Sequence, residues 1–498
     1  MEGSKDACRG SGVGAIVLGA SLGFSSPTMA AVYNASQGDE GRGCVDWQGH
    51  EISENAKMLN CELALSDSMS SWFGSLINIG ALLGAMVSSS LLDRFGKRAG
   101  MLLLHSLYVV GWGLCAGAPG HAATSLARAV DRGQVVIMLV LSRLFIGIAV
   151  GIACASIPNY QVELAPTNLR GAVGSLFQIS VVLGLFFVYL AGCFLDWRSM
   201  AVALVVLSAG GLLLLLFLPE TPTWLARKGR LREARAVLER ARGGGAYDFE
   251  LNGPREEQGV DAGGILSKRC RKPLLIAVGL MFVQQWSGIN AVMFFCGSIL
   301  QSVFSDSAEA NEYSIGIQAL QVLVTLVAAR FMDSVGRRPL LLVAALGLSL
   351  SSLSLSLFYL VGQQCDSQGC SQVIPKPVAV ASLYAYILFF SCGMGAIPWF
   401  ILGEISPPHA QASISAIATS VNWILSFSIT KSLEPLTELL GGAGEGLGKV
   451  FLFYSCVCLL GACFIHAFVP ETKGKSFEEI QAMLHGESAE KQDLKTAA

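Results

Sequence analysis

The stretch Gln284-Gln285-Trp286-Ser287-Gly288-Ile289-Asn290 decides how the chain is read. It lies inside an apolar run from Pro273 to Ile299, long enough to cross a bilayer. Side-chain amides are costly in hydrocarbon, yet three of them fall within these seven residues. Amides are neutral, and each both donates and accepts hydrogen bonds. Such groups suit an uncharged, hydroxyl-rich ligand in a water-filled cavity within a membrane.

Composition agrees with a membrane setting. The 498 residues are 53% hydrophobic and 14% charged, against about 25% charge in soluble domains, and the mean hydropathy is +0.56. A net charge of −2 implies no nucleic-acid partner. The 14 cysteines are mostly scattered through apolar runs, where they act as small hydrophobes. No spacing of Cys or His predicts a metal site, no nucleophile–base pairing predicts an enzyme, and no cofactor is implied. The first apolar run starts near Gly12. A cleaved signal peptide ending near Ala30 is the alternative to a spanning helix there.

At about 20 apolar residues per crossing, twelve spans are predicted, starting near residues 12, 70, 99, 135, 171, 201, 274, 313, 340, 378, 413 and 449. The expected fold class is an all-α membrane protein with twelve transmembrane helices in two six-helix halves. The halves are 1–218 and 273–470, with a charged linker at 219–272 and a polar tail at 471–498. Lys and Arg concentrate in Asp93–Arg98, Glu163–Arg170, Arg227–Lys272 and Asp333–Arg338, so the positive-inside rule places both termini and the linker in the cytoplasm. The connection Ala118–Gln134 departs from that rule with Arg128 and Arg132, and it reads as an insertion. In the linker, Leu231, Ala234, Val237 and Leu238 form an apolar stripe at helical spacing. It fits a helix on the inner membrane face or one packed on the bundle ends.

The halves repeat. Asp93-Arg94-Phe95-Gly96-Lys97-Arg98 returns as Asp333-Ser334-Val335-Gly336-Arg337-Arg338. Glu163-Leu164-Ala165-Pro166 returns as Glu404-Ile405-Ser406-Pro407, and Pro219-Glu220-Thr221 as Pro470-Glu471-Thr472. Three matches in the same order indicate duplication, and two six-helix halves with a ligand site between them is a transporter architecture.

With these motifs the chain resembles the sugar porters of the major facilitator superfamily, in the facilitative glucose-transporter branch. The resemblance runs from about Gly12 to Ile480 and adds Pro158–Pro166 with Arg170-Gly171, Ile397-Pro398-Trp399-Phe400 and Pro470–Gly474. Gly23–Pro27 and Ser71–Ser75 are more similar to the intracellular-type glucose transporters and the trehalose or plant monosaccharide facilitators. The resemblance implies sugar contacts at Gln178, Gln284, Gln285, Asn290, Gln321, Trp399 and Asn422, and the partners it implies are a monosaccharide and the lipid bilayer. Amides pair with hydroxyls at modest net energy, and an aromatic ring stacks on the apolar face of a pyranose. Phe390 is a candidate second wall. A lone amide in a helix also fits a simple helix–helix hydrogen bond.

The charged loops form a second group. The resemblance implies that Asp93, Arg94, Arg98, Arg143, Glu163, Arg170 and Glu220 in one half, and Asp333, Arg337, Arg338, Glu404 and Glu471 in the other, pair across helix ends and latch one state of the carrier. Gln411, Ser334 and Thr223 depart from the family pattern, so a weaker second-half latch is expected. Pro398 breaks the tenth span beside Trp399. The pairs Cys44–Cys61 and Cys365–Cys370 are disulfide candidates, and Asn34 is a glycosylation candidate.

Proton-coupled relatives carry an Asp in the first span, where Ser25 stands here, so facilitated diffusion of a hexose such as glucose is expected. Alternatives are proton-coupled symport, a fructose, polyol or trehalose substrate, and a non-transporting sensor. Trp286, Phe294 and Phe295 are expected to bear on substrate choice. An imperfect acidic dileucine signal at Glu479–Leu484 leaves plasma and endolysosomal membranes open.

Overall fold

The computed structural model describes residues 2–24, 67–118, 125–165, 170–242, 267–304, 307–361, 363–366, 369–372, 374–407, 410–475 and 477–485. Six helices come first: α1 Glu2–Gly23, α2 Asp67–Phe95, α3 Lys97–Ala116, α4 Ser125–Leu164, α5 Arg170–Ala191 and α6 Trp197–Leu215. The linker contributes α7 Pro222–Arg227 and α8 Leu231–Arg242. The seventh span is split into α9 Lys268–Trp286 and α10 Ile289–Val303, followed by α11 Ser307–Val335 and α12 Arg337–Val361. The tenth span is also split, into α13 Lys376–Phe389 and α14 Ile397–Ile405, and α15 Gln411–Leu439, α16 Gly442–Phe468 and α17 Phe477–His485 complete the chain. Among the described residues, ten spans are long and apolar enough to cross a membrane, and Ser11–Gly23 and Ser175–Ala191 are shorter apolar helices. Among the described residues the addition to the all-α expectation is a hairpin of β1 Gln363–Asp366 and β2 Gly369–Gln372. The expected connection at 118–134 is largely helix, because α4 already starts at Ser125 and runs unbroken for 40 residues.

Two compact units form. The first holds residues 1–254, 290–322 and 426–436. Here helices pack backbone to backbone. Gly80 and Gly84 of α2 face α4, and a Cβ on Gly84 would lie 2.2 Å from the Ile148 carbonyl oxygen. Gly147 of α4 returns the contact, since a Cβ there would lie 2.4 Å from the Ile77 oxygen. Lipid tails are as apolar as leucine, so such close approach, not a hydrophobic drive, holds membrane helices together. Most of the stripe on α8 is turned to protein: Ala234 and Leu238 are buried, as is Ala241, and Ala234 packs with Leu225 and Ala226 of α7, while Leu231 at the start of the helix is exposed.

The second unit holds residues 255–289, 323–425 and 437–498. Ser349 of α12 and Ser455 of α16 each donate to the other's backbone oxygen, at 2.9 and 2.8 Å. The seventh span breaks at Ser287-Gly288, with Gly288 at φ 94° and its Cα against the Tyr454 ring. Only glycine fits both conditions. The tenth span breaks through a π turn, Phe390–Met394, after which Pro398 sits in the first turn of α14, where its missing N–H is tolerated.

The duplicated motifs fold alike. Glu220 accepts the backbone N–H groups of Lys97 at 3.0 Å and Arg98 at 3.1 Å. Glu471 accepts those of Arg337 at 3.0 Å and Arg338 at 3.1 Å. Each carboxylate thus satisfies the bare N-terminus of α3 or α12 and complements its dipole. The guanidinium of the same loop reaches the other way: Arg98 donates to the Leu216 carbonyl at 2.7 Å, and Arg338 to that of His466, at the ends of α6 and α16.

Burial alone would raise the Glu471 carboxyl. The N–H groups of Lys473, Arg337, Arg338 and Thr472 outweigh it and hold the group below its ordinary 4.5. A carboxyl depressed in the folded state stabilises that state above the unfolded value and loses the contribution as pH falls through the folded value. Glu471→Gln is therefore expected to cost about 1 kcal/mol at pH 7 and much less near pH 3, read as thermal unfolding in detergent. Equal losses at both pH values would remove the cap assignment.

Candidate functional site

Within the second unit, α9 presents Gln284 and Gln285, only 4% and 6% exposed. The Gln284 amide nitrogen donates to the Met394 carbonyl at 2.7 Å and to that of Gly395 at 3.2 Å. In an unbroken helix the Met394 carbonyl would take the N–H of residue 398, which proline lacks. Gln284 supplies the donor in its place, so the helix–helix hydrogen bond open to any lone amide is made here. Its Oε1 has no partner among the described residues. Gln285 donates to the Asn422 side-chain oxygen. Tyr386 OH donates to the Ser287 carbonyl at 3.0 Å, and Ser287 Oγ to that of Gln284 at 2.7 Å, fixing the end of α9. Trp399 is half-buried and packs on the cluster of Met281, Leu402, Ile414 and Ala418. Phe390 is buried and opens the π turn.

Within the first unit, Asn290 donates to Ser426 Oγ at 2.7 Å. Ser426 donates to Asn78 Oδ1 at 2.9 Å, and Asn78 donates to Thr430 Oγ1 at 3.1 Å. Gln178 is half-buried on α5. Gln321 is buried, and its Oε1 has no partner among the described residues. Gln318, one turn earlier, is fully buried. Sequence reasoning missed Asn78, Ser426, Thr430 and Gln318. The signal was there for two of them: Asn422, Ser426 and Thr430 recur every fourth residue, one polar stripe on α15.

The charged residues pair differently from expectation. Glu163 binds Lys97 and accepts from Thr223, while Glu404 binds Arg337 at 3.2 Å and accepts from Thr472. Glu220 and Glu471, expected in ion pairs, are spent on helix N-termini, and Arg98 and Arg338 on helix C-termini, because bare backbone groups need partners more than exposed charges do. Asp93 and Arg227 form an exposed pair at 3.4 Å, a kind worth at most about 1 kcal/mol. Arg94 lies over the Phe95 ring, 5.4 Å from its centroid. Despite Gln411 and Ser334, the second repeat keeps its own pair.

Arg143 is the clearest correction. It lies 1% exposed in α4, away from the carboxylates grouped with it. Its guanidinium carbon sits 3.9 Å from the Phe73 ring centroid, 4.9 Å from that of Phe24 and 5.9 Å from that of Trp112, and none of its nitrogens has a hydrogen-bond partner among the described residues. Desolvated cation–π contacts reach about 2 kcal/mol each, which offsets part of the cost of burial. Arg170 opens α5 and Asp333 lies in the last turn of α11, but their side chains, like Asn34, Cys44 and Cys61, lie outside the described residues. Cys365 stands directly opposite Cys370 in the hairpin register.

Ten apolar spans and two shorter apolar helices among the described residues, a duplicated pair of capped loops and neutral amides on broken helices fit a carrier of the major facilitator superfamily, a multi-pass membrane protein and not an enzyme. The model of the family "Sugar (and other) transporter" matches residues 13–484, and the chain belongs to that family. It is 31% identical over 483 residues to the Arabidopsis thaliana sugar transporter ERD6-like 6, covering 95% of this chain and 88% of that one. It is 33% identical over 438 residues to Mus musculus solute carrier family 2, facilitated glucose transporter member 8, covering 85% and 87%. Among solved structures it is similar to the proton:xylose symporter XylE bound to 6-bromo-6-deoxy-D-glucose, with a TM-score of 0.76 and 24% identity over 97% of this chain and 99% of that one; XylE is from E. coli.

Trp286 turns away from the amides. Its ring stacks on Phe282 at 5.9 Å and meets Phe453 edge-on at 5.5 Å, and both phenylalanines are exposed on the helix surface. In a sugar-competition panel, Trp286→Leu is expected to keep the wild-type ranking of sugars while lowering thermal stability. A changed ranking would show that the ring reaches the ligand after all.

Proposed function

We propose that the chain is a uniporter that carries a hexose such as glucose across a membrane by alternating access. The observation that carries this reading is the set of neutral amides Gln178, Gln284, Gln285, Asn290, Gln321 and Asn422 on the spans. They are its sugar ligands, with Trp399 and Phe390 as apolar walls. Hydroxyls leave water for amide partners at little net cost and are released as readily. No covalent step is needed.

Uniport is favoured over proton-coupled symport by the charges. Among the described residues Arg143 is the one acidic or basic side chain of the spans that is fully buried besides His105, and aromatic faces hold it instead of a carboxylate. No Asp or Glu lies between Gly12 and Asn34, so the first span offers no carrier for a coupling proton. The similarity to a facilitated glucose transporter supports the same reading.

In this reading residues 1–218 and 273–470 are the two moving halves, joined by the cytoplasmic linker 219–272 and followed by the tail 471–498. Both termini face the cytoplasm, in the plasma or an endolysosomal membrane. The pairs Lys97–Glu163 and Arg337–Glu404 latch the carrier when its cytoplasmic side is shut. The register that sets Cys365 opposite Cys370 supports a disulfide between them.

Purified protein in liposomes is expected to equilibrate labelled glucose with no pH gradient and not to concentrate it when a gradient is imposed. Asn290→Ala is expected to lower that flux at least tenfold. Concentrative uptake driven by pH would replace uniport with symport, and full flux in Asn290→Ala would remove that amide from the site.

A further inference from the structure

Asn78 lies near the middle of α2, fully buried between Ile77 and Ile79. Its carboxamide is used at both ends. Thr430 Oγ1 donates to the Ser426 backbone oxygen at 2.9 Å, so its single proton is spent and it can only accept from Asn78. That fixes the Asn78 nitrogen on Thr430 and the Asn78 oxygen on Ser426. Ser426 Oγ must then give its own proton to Asn78, which leaves it only lone pairs for Asn290. Asn290 can meet it only through Nδ2. Each step in this chain is forced by the one before, because a hydroxyl has one proton to give.

We infer that Asn78 is a positioning residue for sugar selection: through Ser426 it fixes which way round the Asn290 carboxamide stands, so that Asn290 offers the ligand its oxygen. The inference rests on the proposal that Asn290 is a sugar ligand. A carboxamide oxygen has two lone pairs and accepts a sugar hydroxyl whatever else it holds. The hydroxyl recognised there is therefore a donor. Fluorine, which has the size to replace a hydroxyl but no proton, cannot take its place.

Replacing Asn78 by leucine removes the acceptor for the Ser426 proton. Ser426 is then free to donate to Asn290, whose amide can turn over and present N–H to the ligand. Asn78→Asp is the matching control. Buried in this site the carboxyl stays protonated, so it donates to Thr430 and accepts from Ser426 as the amide did.

The test is inhibition of labelled glucose uptake in liposomes by each monodeoxyfluoro-glucose, for wild type, Asn78→Leu and Asn78→Asp. In wild type one carbon is expected at which fluorine weakens inhibition about tenfold relative to glucose, the size of one net hydrogen bond. In Asn78→Leu that one ratio is expected to fall to within about threefold, on the same scale, with the ratios at other carbons unchanged. In Asn78→Asp it stays at the wild-type value. An unchanged ratio in Asn78→Leu, or an equal weakening of every analogue, makes Asn78 a packing residue and overturns the inference. If Asn78→Leu does not fold, loss of the discrimination in Asn78→Asp overturns it. Failure of the sugar reading itself is separate, since it shows in wild type as an absence of glucose uptake.

Discussion

A carbonyl stripped of its helical partner cannot stand bare in hydrocarbon, where each unsatisfied backbone group costs several kcal/mol. That constraint organises this molecule. Pro398 frees the Met394 oxygen, and Gln284 meets it. Helices α3 and α12 begin with bare N–H groups, and Glu220 and Glu471 meet them. The carbonyls that end α6 and α16 are met by Arg98 and Arg338. A transporter must break its helices to make a site, and each break has to be matched by a side chain from elsewhere in the chain. The polar residues divide accordingly into those consumed by the backbone and those that are not.

Gln284 belongs to both groups. Its nitrogen is committed to the helix break, and its oxygen is not. Through it the break in the tenth span and the end of α9 are held together, with Ser287 and Tyr386 adding a second tie. The two readings of a buried amide, structural tie and ligand contact, are therefore not alternatives at this position. The nitrogen makes the tie, and the proposed function gives the oxygen to the sugar.

Much of this was legible in the sequence, for physical reasons. Hydrocarbon thickness sets span length, so twelve apolar runs could be counted, and the breaks at Gly288 and Pro398 followed from residue chemistry. The repeated loops showed that two halves share an ancestor. What the sequence did not show was partnership. Glu220 lies more than a hundred residues from the N–H groups it caps, and nothing in its neighbourhood distinguishes a cap from an ion pair. Arg143 was grouped with carboxylates because charge usually seeks charge, yet three rings surround it, and those rings come from three different helices or their ends. Asn78 was passed over because a single amide in an apolar run carries no periodic signal. Ser426 and Thr430 did carry one, in step with Asn422.

The glycine contact between α2 and α4 has a mechanical meaning. Where two backbones touch without side chains between them, there is nothing compressible in the joint, and neither helix can shift along the other without a carbonyl striking a Cα. The two helices behave as one strut. It carries Glu163 at the tip of α4 and Asn78 midway along α2, so a tug on the ion pair at one extremity arrives undamped at the amide that orients Asn290.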